Sequence, residues 1–209
     1  MTWYLTVARD TTAEVEDRGS RLLCTLRRVA TEDEARTLVA DLRREHHDAR
    51  HHCSAFVLGP AGAVQRSSDD GEPAGTAQHV EHRCTCGAGL SDVAAVVTRW
   101  FGGTLLGAGG LVRAYGDAVR GAVADAGVLR RSLLTELALE LDHADAGRVE
   151  GDLRSRGVVV LEVAYDARVR LLLAAPADEV QRLDEVVAAA TGGRSRAVPV
   201  GERWVDVTD

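Results

Sequence analysis

The chain has 209 residues, 45% of them apolar and 27% charged, which is the balance of a globular protein rather than a disordered or membrane-embedded one. A folded chain of this length buries roughly 70% of the surface its unfolded form exposes, enough for one large domain or two small ones. The net charge is −7 and all 25 basic residues are arginine, which excludes a uniformly basic nucleic-acid coat and leaves room only for a local basic patch.

No apolar run approaches the roughly 20 residues of a membrane span. Arg9 and Asp10 follow only a short apolar patch, so no secretory signal is read and the expected location is the cytoplasm. Cys24, Cys53, Cys84 and Cys86 are read as thiols in that compartment.

Met1 to Ala8 reads as a first strand, and alternating Leu22, Cys24 and Leu26 read as a second. Thr31-Glu32-Asp33-Glu34 fits a capping box, and Ala35, Leu38, Val39 and Leu42 follow at helical spacing. His51 to Leu58 is a strand, Gly59 to Gly62 a turn, and Ala63 to Arg66 the returning arm of a hairpin. Ser67 to Thr76 reads as a loop from its Asp, Gly and Pro content. Val93 to Val97 is a continuous apolar run, as expected of a strand covered on both faces. The helix expected after Gly110 places Leu111, Tyr115, Ala118, Ala122 and Ala126 on one stripe and stops at Gly127.

The character changes near residue 132. Leu133 to Leu141 alternates as a half-buried strand, and a helix carrying Val149 and Leu153 follows. Two strands come next, Val158 to Tyr165 and Arg168 to Ala174. Pro176 opens a second helix, and a last strand holds Trp204, Val205 and Val207. The order β-α-β-β-α-β is that of a ferredoxin-like module. The expectation is therefore an α+β chain of two domains, 1–132 and 133–209.

Two segments concentrate chemistry. Gly102, Gly103, Gly107, Gly109 and Gly110 lie between an apolar strand and a helix N-terminus, where bare backbone N–H groups suit either tight helix–sheet packing or an anion. No Gly-Lys-Ser/Thr follows, and Val112 occupies the third glycine position of a dinucleotide fingerprint, so neither of those phosphate loops is present. Upstream, Asp69, Asp70 and Glu72 could close a tight turn or offer oxygen ligands to a cation. Thr76 lets this loop lie close to a neighbour. Arg99 and Arg113 are expected to pair with its carboxylates. Trp100 and Phe101 occupy adjacent strand positions and so point to opposite faces, one for packing and one available for stacking. His46, His47, His51, His52, His79 and His82 lie near Cys53, Cys84 and Cys86, but the C-x-C spacing is weak for zinc. No metal or cofactor is expected.

Ser68 to Ala77 (SDDGEPAGTA) together with Thr98 to Val119 (TRWFGGTLLGAGGLVRAYGDAV) resemble the IMPACT family, in its bacterial YigZ-like branch. The Thr31 helix and the HHCSAF run from His51 to Phe56 match the same layout, and the resemblance covers the whole chain. It implies a first domain with a fold shared by a small-subunit ribosomal protein, elongation factor G and small-metabolite kinases. It implies a second domain similar to the C-terminal domain of elongation factor G. Eukaryotic relatives regulate translation in the amino-acid-starvation response, through a partner without a bacterial counterpart. This sequence departs from the family pattern in having Leu105 for a lysine, Gln78-His79-Val80 after the acidic motif, and Trp100 for a tyrosine.

The function this implies is that of a non-enzymatic, translation-linked binding protein. Its partner would be RNA, the ribosome or a translation protein, met through the glycine-loop face formed by Arg99, Trp100, Phe101, the glycines, Arg113 and Tyr115. The alternative is an enzyme holding a phosphorylated or carboxylated small molecule at the glycine loop, with Asp70 or Glu72 as metal ligand or base.

Overall fold

The computed structural model describes residues 2–82, 84 and 89–207. The chain divides into two compact units, 3–131 and 132–207, with Thr2 grouped with the second.

The first unit begins with β1 (Trp3–Val7) and is built on an antiparallel sheet of five further strands: β2 (Thr11–Asp17), β3 (Ser20–Arg28), β4 (His51–Leu58), β5 (Val64–Ser68) and β6 (Val93–Trp100). Their order across the sheet is β2-β3-β6-β4-β5. β2 is not anticipated by the sequence, because only Ala13 and Val15 mark its inward side. The hairpin itself explains it. Arg18 (φ 49°) and Gly19 (φ 78°) are both left-handed, the two-residue turn whose twist matches its flanking strands.

β6 lies at the centre and is apolar throughout because both its faces are covered, as its sequence suggests. Val93, Ala95 and Val97 belong to the core under α2 (Thr76–His82) and α3 (Gly107–Ala126), while Ala94 and Val96 belong to the core under α1 (Glu32–Glu45). The α3 stripe of Leu111, Tyr115, Ala118, Ala122 and Ala126 is buried as its spacing predicts. The helix starts at Gly107, however, so three of the loop glycines form its first turn. The sequence pattern does not mark α2, and β5 runs on to Ser68, so the expected loop is shorter at its start.

A polar junction fixes the entry to β6. Asp92, itself left-handed at φ 54°, accepts the Gly59 N–H at 2.8 Å, Arg131 Nη1 at 3.0 Å and the Tyr4 hydroxyl. Burial pushes the Tyr4 phenol up to about 12, so it remains a donor. Nearby, the Ala8 N–H donates to the Gly127 carbonyl at 3.2 Å.

The second unit contains β7 (Val128–Leu141, which enters it from the first), α4 (His143–Ser155), β8 (Val159–Tyr165), β9 (Val169–Ala175), α5 (Val180–Thr191) and β10 (Val198–Val207). β9 pairs antiparallel with both β7 and β8, and β10 lies on the other side of β7. This is the strand arrangement of a ferredoxin-like domain. Leu137, Leu139, Leu171 and Leu173 from the sheet meet Val149 and Leu153 of α4 and Leu183 and Val187 of α5 in one core. The α+β class expected from the sequence is the class observed. Among the described residues no helix is long and apolar enough to cross a membrane.

Thr31 caps α1 by accepting the Glu34 N–H at 3.2 Å, and the Glu34 carboxylate reaches back to the Ala30 N–H at 2.7 Å. Thr31→Ala is expected to lower stability by about 1 kcal/mol in urea unfolding, with no change in the slope of the transition.

Candidate functional site

The chain leaves β5 at Ser68 and must reverse within seven residues to begin α2. It does so through left-handed Asp70 (φ 47°) and Gly71 (φ 84°). The two aspartates close the turn with all four of their side-chain oxygens. Asp69 accepts the Gly75 N–H at 3.0 Å and the Ala77 N–H at 2.6 Å, which satisfies donors at the start of α2. Asp70 accepts the His52 N–H at 2.7 Å and Arg43 Nη2 at 2.6 Å. Thr76 Oγ1 donates to the Pro73 carbonyl at 2.7 Å. Cys53 Sγ donates to the Asp69 carbonyl at 3.0 Å, and His51 Nδ1 lies 2.8 Å from the Asp70 carbonyl. The acidic cluster is thus spent on holding a loop in shape.

Glu72 points inward, its side chain only 4% exposed. Its Oε1 receives Arg99 Nη1 at 2.5 Å and the Tyr115 hydroxyl at 2.9 Å. Arg99, on β6, extends Nη2 to within 3.5 Å of Ser20 Oγ, and that hydroxyl also accepts the Gly102 N–H at 3.3 Å. Arg99 Nε is buried with no hydrogen-bond partner. The network links the acidic turn, β6, β3, the glycine loop and α3. Burial pushes the Tyr115 phenol far above its ordinary range, so it keeps its proton and remains a donor. Burial likewise pushes the Cys53 thiol up to about 12, which removes it as a nucleophile at neutral pH.

Arg113 does not join this network. It pairs with Asp17 on the β2–β3 hairpin at 3.2 Å and is largely exposed. Two residues along a helix is a turn of about 200°, so Arg113 must point away from the face that carries Tyr115.

The glycines separate into distinct roles. A Cβ on Gly102 would stand 1.9 Å from the Gly19 carbonyl carbon and 2.3 Å from the Ser20 nitrogen, so two backbones touch where no side chain fits. Gly103 (φ 86°) and Gly107 (φ 72°) supply left-handed backbone, and Gly110 lies against Leu106. Gly109 has neither constraint: its Cβ would meet nothing within 4 Å.

Trp100 is held on three sides. Its indole N–H donates to Asp48 at 2.9 Å, Arg21 lies 4.3 Å over the ring, and His46 meets it edge-on at 5.2 Å. Phe101 is free at the surface, 37% exposed, with the Arg50 guanidinium 5.4 Å and that of Arg99 5.8 Å from its ring. Leu105 is 81% exposed.

Residues 18–123 match the Impact N-terminal domain, and residues 139–194 match a domain of unknown function, DUF1949. The chain belongs to the IMPACT family. It is 36% identical to the IMPACT family member YvyE of Bacillus subtilis over 92% of this chain and 88% of that one. It is 35% identical to the IMPACT family member YigZ of Escherichia coli, over 96% and 98% of the two chains. A crystal structure described as that of a hypothetical protein is similar with a TM-score of 0.64. It shares 34% identity, over 97% of this chain and 100% of that one.

In this IMPACT-family chain the aspartates, Glu72, Arg99, Tyr115 and Gly102 come together, and Phe101 and the open glycines form the adjoining surface. Ser20, Arg43 and Arg50 complete the arrangement, and nothing near them in sequence marks them. Among the described residues no group of three or more His, Cys, Asp or Glu could hold a metal ion. Cys84 is buried, its thiol pushed up to about 12, and Cys86 lies outside the described residues.

His52 and Thr98 are register partners on the opposite, α1 face of the sheet, and His52 Nε2 and Thr98 Oγ1 are both buried with no hydrogen-bond partner. Burial, helped by the charges of Arg43 and His46, lowers the His52 pKa from its ordinary 6.5, with Asp70 opposing.

Gly102→Ala is expected to cost more than about 3 kcal/mol or to abolish folding, while Gly109→Ala should be neutral or stabilising by up to about 1 kcal/mol; urea unfolding of the two variants separates close approach from open space. Because His52 binds its proton less readily when folded, its contribution to stability is complete above about pH 6.5 and is lost as the pH falls through the depressed folded value. Unfolding followed from about pH 7.5 to 5 should show that decline, and His52→Gln should flatten it.

Proposed function

We propose that this IMPACT-family chain is a translation-linked binding protein that takes single-stranded RNA, ribosomal RNA included, on its glycine-loop face. The observation that carries this reading is Phe101, an exposed ring beside Arg50, whose guanidinium has no acidic partner among the described residues. Arg18, exposed at the hairpin turn next to Gly102, also lacks an ion pair among those residues. A stacking surface flanked by uncompensated arginines is the elementary unit of single-strand recognition. Gly103, Gly107 and Gly109 leave open space through which a phosphate backbone could approach. Elsewhere on the surface most arginines are neutralised by nearby acids, which suits a chain of net charge −7 whose basic character is local. An enzymatic reading through Asp70 or Glu72 has less support, since both oxygens of Asp70 and Oε1 of Glu72 are already engaged.

Fluorescence anisotropy with labelled oligouridylate, beside co-sedimentation with ribosomes, tests the reading at low and high salt. Binding should weaken with salt, and Phe101→Ala should weaken it by roughly 5- to 150-fold, the equivalent of one stacked base. Arg18→Ala/Arg50→Ala should reduce the salt dependence. Binding that ignores salt, or a Phe101→Ala variant that binds as the wild type does, would reject it.

A further inference from the structure

A second surface lies away from the glycine loop, where α1 crosses the outer half of the first sheet. β5 is the last strand of the β2-β3-β6-β4-β5 order, so among the described residues no strand lies beside its outer edge. The register with β4 sets Phe56 opposite Arg66 and Ser54 opposite Ser68. Above them α1 presents Arg36, Val39 and Arg43, spaced three and four residues apart and so on one side of the helix. Between helix and edge runs a groove of about 300 Å³ with Val39 and Phe56 among its walls.

The groove's charge is one-sided. Arg36, Arg43 and Arg66 line it, and no Asp or Glu does. Arg66 donates to the Gln65 carbonyl at 2.8 Å and has no carboxylate partner among the described residues. Arg36 is paired at 3.1 Å with Glu32, one turn back on the exposed side of α1, a contact worth only a few tenths of a kcal/mol and readily exchanged. Arg43 is held from outside the groove by Asp70.

A free antiparallel edge, an apolar floor and three guanidinium groups on the same trough have one shared complement. We infer that the α1–β5 groove binds an acidic peptide in extended conformation. The peptide adds as a strand to β5, sets alternate apolar side chains against Val39 and Phe56, and offers carboxylates to Arg36 and Arg66. Main-chain hydrogen bonds to the edge would supply affinity, while the arginines select against neutral and basic segments. The groove shares Arg43 with the acidic turn, but none of the glycine-loop residues lines it, so one protein could hold RNA and an acidic protein segment at once.

Phage display of a random dodecapeptide library against the whole protein tests this, followed by synthesis of the leading peptide and of a version with every acid changed to lysine. Selected peptides should alternate acidic and apolar residues, and amide shifts on binding should centre on residues 64–68 and α1. Arg66→Glu, an exposed change, should weaken the acidic peptide at least tenfold and bring the lysine version to measurable binding. Arg36→Glu should act in the same direction. An empty selection, peptides without acidic enrichment, shifts centred elsewhere, or affinity unchanged in both charge-reversal variants would overturn the proposal.

Discussion

Burying Glu72 and Arg99 takes two full charges out of water, and the hydration they lose is recovered only if they meet each other with good geometry. That requirement organises the first unit. Arg99 is carried by the central strand and Glu72 by the loop between β5 and α2. The contact therefore draws the acidic turn onto the sheet, and Tyr115 extends it to α3. Ser20 carries the same network to the hairpin and the glycine loop. Five segments of the chain are in this way held to one centre.

The centre needs a sheet thin enough for helices to cover closely on both sides. β6 supplies it with alanines and valines, which let α3 approach one face and α1 the other. The same economy appears at Gly102, where two backbones come closer than any side chain allows. Most of the loop's glycine content follows from this packing and from left-handed turns. Gly109 is the position these reasons leave over, and it faces open space.

The electrostatic pattern separates structure from surface. Carboxylates of the acidic turn are consumed by backbone donors, Arg43 and Arg99, and the exposed arginines of α1, α4 and α5 mostly meet acids a turn away. Arg9, Arg130 and Arg170 also lack an ion pair among the described residues, but Arg18, Arg50 and Arg66 fall at two places that expose an aromatic ring or a strand edge as well. Unpaired cations keep their full field only where no acid is near, which is why these two surfaces carry the functional readings.

Local pattern determined a good deal by itself. Period-two and helical spacing marked β4, β6, α1, α3 and the β-α-β-β-α-β order of the second unit, because each presents a continuous apolar face. The weakly apolar β2 and the short α2 escaped, since the hairpin turn and the Asp69 cap that stabilise them are not periodic features. The paired motifs around Asp69 and Gly102 identified the family, and the chain legibly placed Asp70, Glu72 and Arg99 in one neighbourhood. Only the tertiary structure decided what each does. Whether a carboxylate is a ligand or a brace depends on which donors surround it, and those donors, at His52, Arg43 and Tyr115, arrive from other strands and helices. It likewise decided that Arg113 turns to Asp17, that Trp100 is half-buried and held by Asp48, Arg21 and His46, and that Phe101 is exposed, because burial is a property of neighbours in space rather than in sequence.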